Sequence, residues 1–124
     1  MVDDELYTLA AALTVGSPAV SVPVYRAHGP ENPTSAQYPH VVFWRVSGPS
    51  EASIDGPIVY VTARYQFSCF ALTHRLARQV AEALITLLVM ATSTSIKAIE
   101  HENDFDLYDP DTKHEVAVDL MVSY

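Results

Sequence analysis

Six acidic side chains near the end of the chain could in principle hold a metal ion. Asp104, Asp106 and Glu115 stand at positions 1, 3 and 12 of an EF-hand count. Position 5 is Tyr108, and position 6, which needs glycine for the sharp turn, is Asp109. No helix pair is predicted around them, so the pattern favours a solvated hairpin over a calcium site. The run comprises Glu100, Glu102, Asp104, Asp106, Asp109 and Asp111.

The residues that serve as nucleophiles, bases or zinc ligands show no arrangement that marks a catalytic site. Cys69 lies in an apolar strand pattern, which favours a buried and unreactive thiol. No serine stands in a G-x-S-x-G motif, and no histidine pair has a zinc-ligand spacing. We therefore predict no catalytic residue, metal or cofactor, with a small metal-dependent hydrolase or ligand-binding domain as the alternative. The histidines considered are His40, His74, His101 and His114.

The length and the charge of the chain indicate how many domains it has and which partners it is unsuited to bind. The 124 residues predict one domain over 1–124, and seven Lys and Arg against fifteen Asp and Glu give a charge of −8. This balance disfavours binding to nucleic acid or to an anionic membrane. The acidic start, Met1 to Glu5, lacks a signal-peptide pattern, and the apolar run 83–91 is too short to span a bilayer. These features predict a protein made and kept in a cytosol-like compartment.

The first half of the chain predicts one helix and two strands. Asp3 can cap a helix running to about Val15. Residues 20–25 form a short strand broken by Pro23, which places it at a sheet edge. An irregular loop follows over 27–39, and the β-branched and aromatic run His40 to Ser47 predicts a strand.

The second half predicts a hairpin, a helix and a further pair of strands. A loop over 48–57 joins the strand 40–47 to a long strand over 58–70. Apolar spacing predicts a helix from Thr73, its N-cap, to Met90. A strand over 95–102 and an acidic turn over 104–112 precede a final strand over 114–124, whose alternation runs to the last residue.

This element order predicts an α+β fold. We expect one domain with a four- to five-stranded, mainly antiparallel sheet and two helices packed on one face. The broken strand 20–25 and the final strand are predicted to be the sheet edges.

Aromatic and basic residues on the predicted strands suggest a protein–protein surface. Phe43 and Trp44 point to opposite faces of one strand, so one is expected in the core and the other on a surface that suits binding. Arginines on three strands could pair with acidic residues of a neighbouring subunit, or form isolated surface ion pairs within the chain. The candidate intersubunit residues are Arg26, Trp44, Arg45, Arg64 and Tyr124.

Three segments, in their order and spacing, resemble the tail terminator (tail completion) family of long-tailed bacteriophages and related gene-transfer particles. Each segment matches the family in element type, and the resemblance covers nearly the whole chain. The segments are the strand Tyr38 to Gly48, the strand and helix from Ala63 to Leu84, and the acidic–Pro–acidic–Thr turn Leu107 to Thr112 with its final strand.

The resemblance implies a structural protein of the virion tail or neck, assembled in the host cytoplasm. Family members form a hexameric ring at the head-proximal end of the tail tube, stop tube polymerisation and meet the head connector. Expected partners are further copies of the chain, the major tail tube protein and a connector or stopper protein, with DNA passing through the channel without specific binding. A head–tail joining or connector-adaptor protein of the neck is the nearest alternative.

The resemblance also suggests where the acidic residues lie. A negative channel wall repels phosphate, so part of the stretch 100–111 or the loop 48–57 is expected to face the channel or the tube. The candidates are Glu51, Asp55, Glu100, Glu102, Asp104 and Asp106.

Overall fold

The computed structural model describes residues 2–16, 20–27, 29, 38–46, 50–52, 60–89, 91–110 and 113–124. The elements along the chain are α1 (Val2–Ala10), β1 (Thr14–Val15), β2 (Val20–Ser21), β3 (Val24–Arg26), β4 (His40–Arg45), β5 (Ser50–Ala52), β6 (Tyr60–Ala71), α2 (His74–Leu88), β7 (Ala98–Asp109) and β8 (Lys113–Ser123). None of the helices in these ranges is long and apolar enough to cross a membrane.

The strands form one main sheet and a small separate ribbon. The main sheet has the order β3-β4-β6-β8-β7, with β5 also pairing with β6, while β1 and β2 pair with each other. All pairs are antiparallel except β3 with β4. The predicted α+β class and mainly antiparallel sheet are therefore confirmed, with β5 as an addition.

Both helices lie on the same face of the main sheet. α2 packs on β6 and β8, and α1 contacts α2 and β3. Thr73 caps α2 as predicted, because its hydroxyl accepts a hydrogen bond from the Leu76 amide at 3.2 Å. The core under the helices is closed by alternate residues of the two longest central strands, which are fully buried: Tyr65, Phe67, Cys69, Val116, Val118, Leu120 and Val122.

The first helix is shorter than predicted. It ends at Ala10 rather than near Val15, and Thr14 and Val15 instead pair with Ser21 and Val20. Two β-branched residues favour the extended backbone once a partner strand is available, and that pairing outweighs the apolar helical spacing. Asp3 lies inside the first turn of α1 and does not precede it.

The strand predicted over 20–25 is interrupted where Pro23 suggested. β2 and β3 flank the break, and β3 is an edge of the main sheet, as predicted. The other predicted edge is wrong, because β8 lies between β6 and β7. The edge on that side is β7, which pairs with β8 along almost its whole length.

The predicted acidic turn is largely strand. β7 runs through Asp104 to Asp109, so the turn itself is confined to the residues around Pro110, and Asp111 and Thr112 lie outside the described residues. The loop predicted over 48–57 contains β5, while 47–49 and 53–59 lie outside the described residues. Backbone pairing with β8 overrides the low strand preference of aspartate in β7.

Candidate functional site

The strand register explains why the acidic residues of β7 separate into two groups. On the helix-covered face, one row across the sheet contains Phe43, Phe67, Val118 and Asp104. The row thus changes from apolar to charged at β7, the edge strand. Asp106 ends the next row, beyond Val116. Because β7 is the edge strand, the carboxylates of Asp104 and Asp106 lie beside α2 and are not covered by it.

α2 supplies the cation that balances these two carboxylates. The Nη2 atom of Arg78 lies 2.8 Å from Oδ1 of Asp104 and 3.6 Å from Oδ1 of Asp106. Nε2 of His101 is 2.9 Å from the other oxygen of Asp104, and Nε2 of His74 is 3.0 Å from Oδ2 of Asp106. The hydrogen bond from Arg78 lowers the pKa of Asp104. Asp104 and Asp106 therefore attach the hairpin of β7 and β8 to α2.

The first turn of α1 is attached to the sheet through a second polar network. The hydroxyl of the fully buried Tyr65 donates to Asp3 and accepts from Nη2 of Arg45 at 2.8 Å. Burial, together with the hydrogen bond to Asp3, raises the pKa of Tyr65 to about 12. Arg26 of β3 pairs with Asp4 at 2.6 Å. Nη2 of Arg45 also lies 3.5 Å from Oδ1 of Asp3, so Arg26 and Arg45, two of the proposed intersubunit arginines, both have a carboxylate partner on α1.

Glu5 connects α1 to the loop that follows α2. Its Oε1 accepts a hydrogen bond from the Ser93 hydroxyl at 2.5 Å and from the Ser95 amide at 2.8 Å. These hydrogen bonds to Ser93 and Ser95 stabilise the carboxylate and lower its pKa from 4.5 to about 2. Glu5 therefore holds the loop more strongly when it is ionised.

We expect this contact to make stability depend on pH in the acid range. Because the folded-state pKa is lowered, the contribution of Glu5 is fully present above about pH 4.5 and is lost as the pH falls towards 2. Glu5→Gln should lower the urea midpoint at neutral pH and reduce the difference from wild type in acid. The exposed Glu82→Gln is the matched control, and an identical pH response in Glu5→Gln and wild type would contradict this role for Glu5.

The opposite face of the main sheet carries no helix among the described residues. Its rows across β4, β6, β8 and β7 can be read from the register. One row is Trp44, Gln66, Asp119 and Asn103; another is Val42, Ser68, Ala117 and Phe105; a third is His40, Phe70, Glu115 and Leu107. Arg64, Met121 and Glu100 form a shorter row. We call this surface the uncovered face.

The β4 end of the uncovered face is closed by aromatic packing. His40 stacks on Phe70 at 5.0 Å between ring centroids, and Tyr38 lies 5.1 Å from His40. Gly29 approaches so closely that a Cβ there would lie 2.8 Å from Cγ2 of Val42. His40 is accordingly buried and serves as a packing residue.

The β7 side of the same face remains open. Phe105 is 39% exposed and Leu107 is 47% exposed, while Trp44 on β4 is 36% exposed. Phe43 is buried, so the prediction that Phe43 and Trp44 divide between core and surface is confirmed. The open part of the uncovered face therefore presents large apolar side chains to solvent.

The charges on the uncovered face are mostly negative and poorly balanced. Nη2 of Arg64 lies 3.8 Å from Oε2 of Glu102, which stands at the irregularity of β7. Glu100 and Glu115 have no ion-pair partner within the described ranges. Oδ1 of Asp119 is shielded from solvent and has no hydrogen-bond partner there, as is also true of Nε of Arg64. Unsatisfied buried polar atoms are costly, and an additional partner would satisfy them.

The remaining sequence candidates lie elsewhere. Glu51 is in β5 opposite Val61, and Asp55 lies outside the described residues. Tyr124 exchanges two backbone hydrogen bonds with Val61, at 2.8 and 2.9 Å. The structure thus groups Arg64, Trp44, Glu100 and Glu102 on the uncovered face, and separates them from Asp104 and Asp106.

Sequence reasoning missed several residues of these networks. Asp3, Tyr65, Arg78 and Asp119 were read only as parts of elements. Asp104 is 26 residues from Arg78, and the two partners of Tyr65, Arg45 and Asp3, are 20 and 62 residues away. The one usable signal was Tyr65 itself, because a buried tyrosine hydroxyl needs a polar partner.

The geometry of the described residues does not support a metal site or a nucleophilic cysteine. Asp104 and Asp106 lie on one face of the sheet and Glu115 lies on the other. The described residues contain no group of three or more His, Cys, Asp or Glu side chains able to hold a metal ion. Cys69 is fully buried, as predicted, and burial raises its pKa. Its thiol is thereby kept neutral and unreactive.

An open depression lies between α2 and the turn after α1. It measures about 650 Å³, and its lining includes Leu13, Ala83, Leu87 and a single titratable residue, Glu82. One isolated carboxylate in an open, apolar depression lacks the paired groups that acid–base catalysis requires.

Comparison with known proteins gives one match that spans nearly the whole chain. Residues 8–124 match the family described as tail completion protein gp17. None of the curated proteins matches the chain significantly. The matched range includes every strand of the main sheet and all of α2.

Proposed function

Because the chain belongs to the tail completion protein family, we propose that it forms a ring on the head-proximal end of a phage tail tube. In this proposal the ring ends tube polymerisation and joins the tail to the head connector. Members of the family are structural components of the phage tail, and this is the level of function that membership establishes. The observation that carries the proposal is the match over residues 8–124.

The two edges of the main sheet support a ring. A closed ring of identical subunits needs two different contact patches on each subunit. One edge is the short strand β3, which carries Arg26, and the other is the long acidic strand β7. The edges differ in length and charge, so they suit a contact in which β3 of one subunit meets β7 of the next. Hexameric stoichiometry is part of the proposal.

The candidate residues fit this proposal to different degrees. Arg26 and Trp44 are exposed, so a neighbour could contact them, although Arg26 already pairs with Asp4 in its own chain. Arg45 and Tyr124 already make contacts within the chain, so their proposed role between subunits is additional to a structural one. Glu100, Glu102, Asp104, Asp106, Glu51 and Asp55 remain the proposed channel-facing or tube-facing residues. A negative surface beside the channel would let DNA pass without binding.

A tube-assembly experiment tests the proposed function. The protein is added to purified tail tube protein of the same particle during polymerisation, and tube lengths are measured by electron microscopy. We expect shorter tubes with a ring on one end, because a bound terminator removes the growing end. Unchanged lengths over a range of protein concentrations would contradict the proposal. Mass determination on tube-bound protein would give the number of copies in the ring.

A further inference from the structure

We propose that the uncovered face docks a cationic, partly apolar segment of another virion protein. The surface consists of Trp44, Arg64, Glu100, Glu102, Phe105, Leu107, Glu115 and Asp119. The inference rests on the proposed function only for taking the partner to be a virion protein. The chemistry of the partner follows from the face itself.

The charge of the face selects the charge of the partner. Four carboxylates stand on it against the single guanidinium of Arg64, which is shared with Glu102 at 3.8 Å. A lysine or arginine placed over β8 would lie near the negative charge of Asp119, whose Oδ1 has no hydrogen-bond donor in the described structure. Charge attraction near a partly buried carboxylate is screened less than in water, so it would favour a cation at this position.

The exposed apolar side chains indicate that the partner presents apolar side chains as well as positive charge. Phe105, Leu107 and Trp44 remain 36 to 47% exposed at the margins of the acidic rows. Aromatic residues at protein interfaces supply much of the binding energy, with polar groups setting orientation. A segment that alternates basic and apolar residues would satisfy both parts of the surface.

A second copy of this chain is poorly suited to this surface, because the chain itself has a net charge of −8. Of its seven Lys and Arg residues, four arginines already lie within 4 Å of carboxylates of their own chain. Nζ of Lys113 donates to the Pro110 carbonyl at 2.9 Å. DNA is disfavoured because its phosphates would meet like charge. The charge balance therefore assigns the face to a different protein.

The sole tryptophan of the chain allows docking to be measured directly. Trp44 lies on the uncovered face, so its fluorescence reports events there. The probe is a short synthetic peptide in which lysine alternates with leucine, and the control peptide replaces lysine with glutamate. We expect a saturable blue shift with the lysine peptide, weakened by salt, and no shift with the glutamate peptide.

Paired variants locate the site. Glu100→Lys should weaken lysine-peptide binding about fivefold, whereas the same charge change at the exposed Glu82 on α2 should leave it nearly unchanged. Leu107→Ser should weaken binding as well, in contrast to Val20→Ser in the separate β1–β2 ribbon. Both comparisons use substitutions at exposed positions, so folding should be preserved.

Several results would overturn the inference. Equal losses for Glu100→Lys and Glu82→Lys, or equal binding of the two peptides, would show that the face has no selectivity. Loss of self-association in Leu107→Ser with unchanged lysine-peptide binding would place Leu107 in a contact between copies of the chain and would contradict its part in docking. Tube capping without lysine-peptide binding would remove this inference alone, while absence of capping would remove the proposed function.

Discussion

Deletion of Val122, Ser123 and Tyr124 is expected to lower the free energy of unfolding by about 5 kcal/mol. Val122 is fully buried, and burying such a side chain contributes about 1.5–3 kcal/mol. The deletion also removes the two backbone hydrogen bonds between Tyr124 and Val61 and the one from Lys97 to Ser123, each contributing about 1 kcal/mol. Because a domain is stable by only about 5–15 kcal/mol, this loss threatens folding itself.

Thermal unfolding measures this effect. The midpoint should fall by about 15 °C in the truncated chain, given the usual relation between stability and melting temperature. Tyr124→Ala is the matched control, because it keeps the backbone pairing with Val61 and should shift the midpoint far less. Equal midpoints for wild type and the truncated chain would show that β8 is dispensable at its end.

Phe67→Ala should lower the free energy of unfolding by a similar amount, in this case through loss of core packing alone. Phe67 is fully buried on β6 and stacks on Phe43 with ring centroids 4.9 Å apart and an interplanar angle of 13°. Removing the ring leaves a cavity between β4 and α2, and truncations of this kind cost about 3–5 kcal/mol. The loss is measured as a lower urea midpoint with an unchanged slope.

Phe105→Ala is the matched control for that substitution. It removes the same atoms from a side chain that is 39% exposed on the uncovered face, so we expect a loss below about 1 kcal/mol. The same variant should weaken lysine-peptide binding if the uncovered face docks a partner. A loss of stability equal to that of Phe67→Ala would mean that Phe105 is part of the core.

Local patterns were sufficient for the central elements. The alternation predicted for the final strand corresponds to a buried face of β8, which includes Val118 and Val122. The spacing of Leu76, Val80, Leu84 and Leu88 identified α2, and the threonine before it identified its start. These apolar periodicities can be read locally, because an element that buries one face needs apolar residues at regular positions along its own sequence.

The misread segments depend on partners far along the chain. Asp104 to Asp109 resembled a turn because aspartate is rare in strands, yet β8 provides backbone pairing and Arg78 provides charge balance. The alternation of β8 does not reveal that this strand lies between β6 and β7, because an edge strand can show the same pattern. The register of β7 on β8 places the acidic residues on two different faces of the sheet. The run of acidic residues in the sequence does not contain this information.

The arginine candidates illustrate the same limit. The sequence placed Arg26, Arg45 and Arg64 on strands but could not tell intersubunit pairs from pairs within the chain. In the structure Arg26 meets Asp4, and Arg45 meets both Tyr65 and Asp3, so each arginine contacts the first turn of α1. Only Arg64, at 3.8 Å from Glu102, is loosely held, and it lies on the uncovered face.

Tail length in particles that lack this gene product tests the proposed function most directly. If the protein ends tube growth, deletion of its gene should give abnormally long tails of variable length, and supplying the intact gene should restore the normal length. Electron microscopy of the released tails gives both results. Tails of normal length that are detached from heads would contradict termination and identify a joining protein of the neck instead.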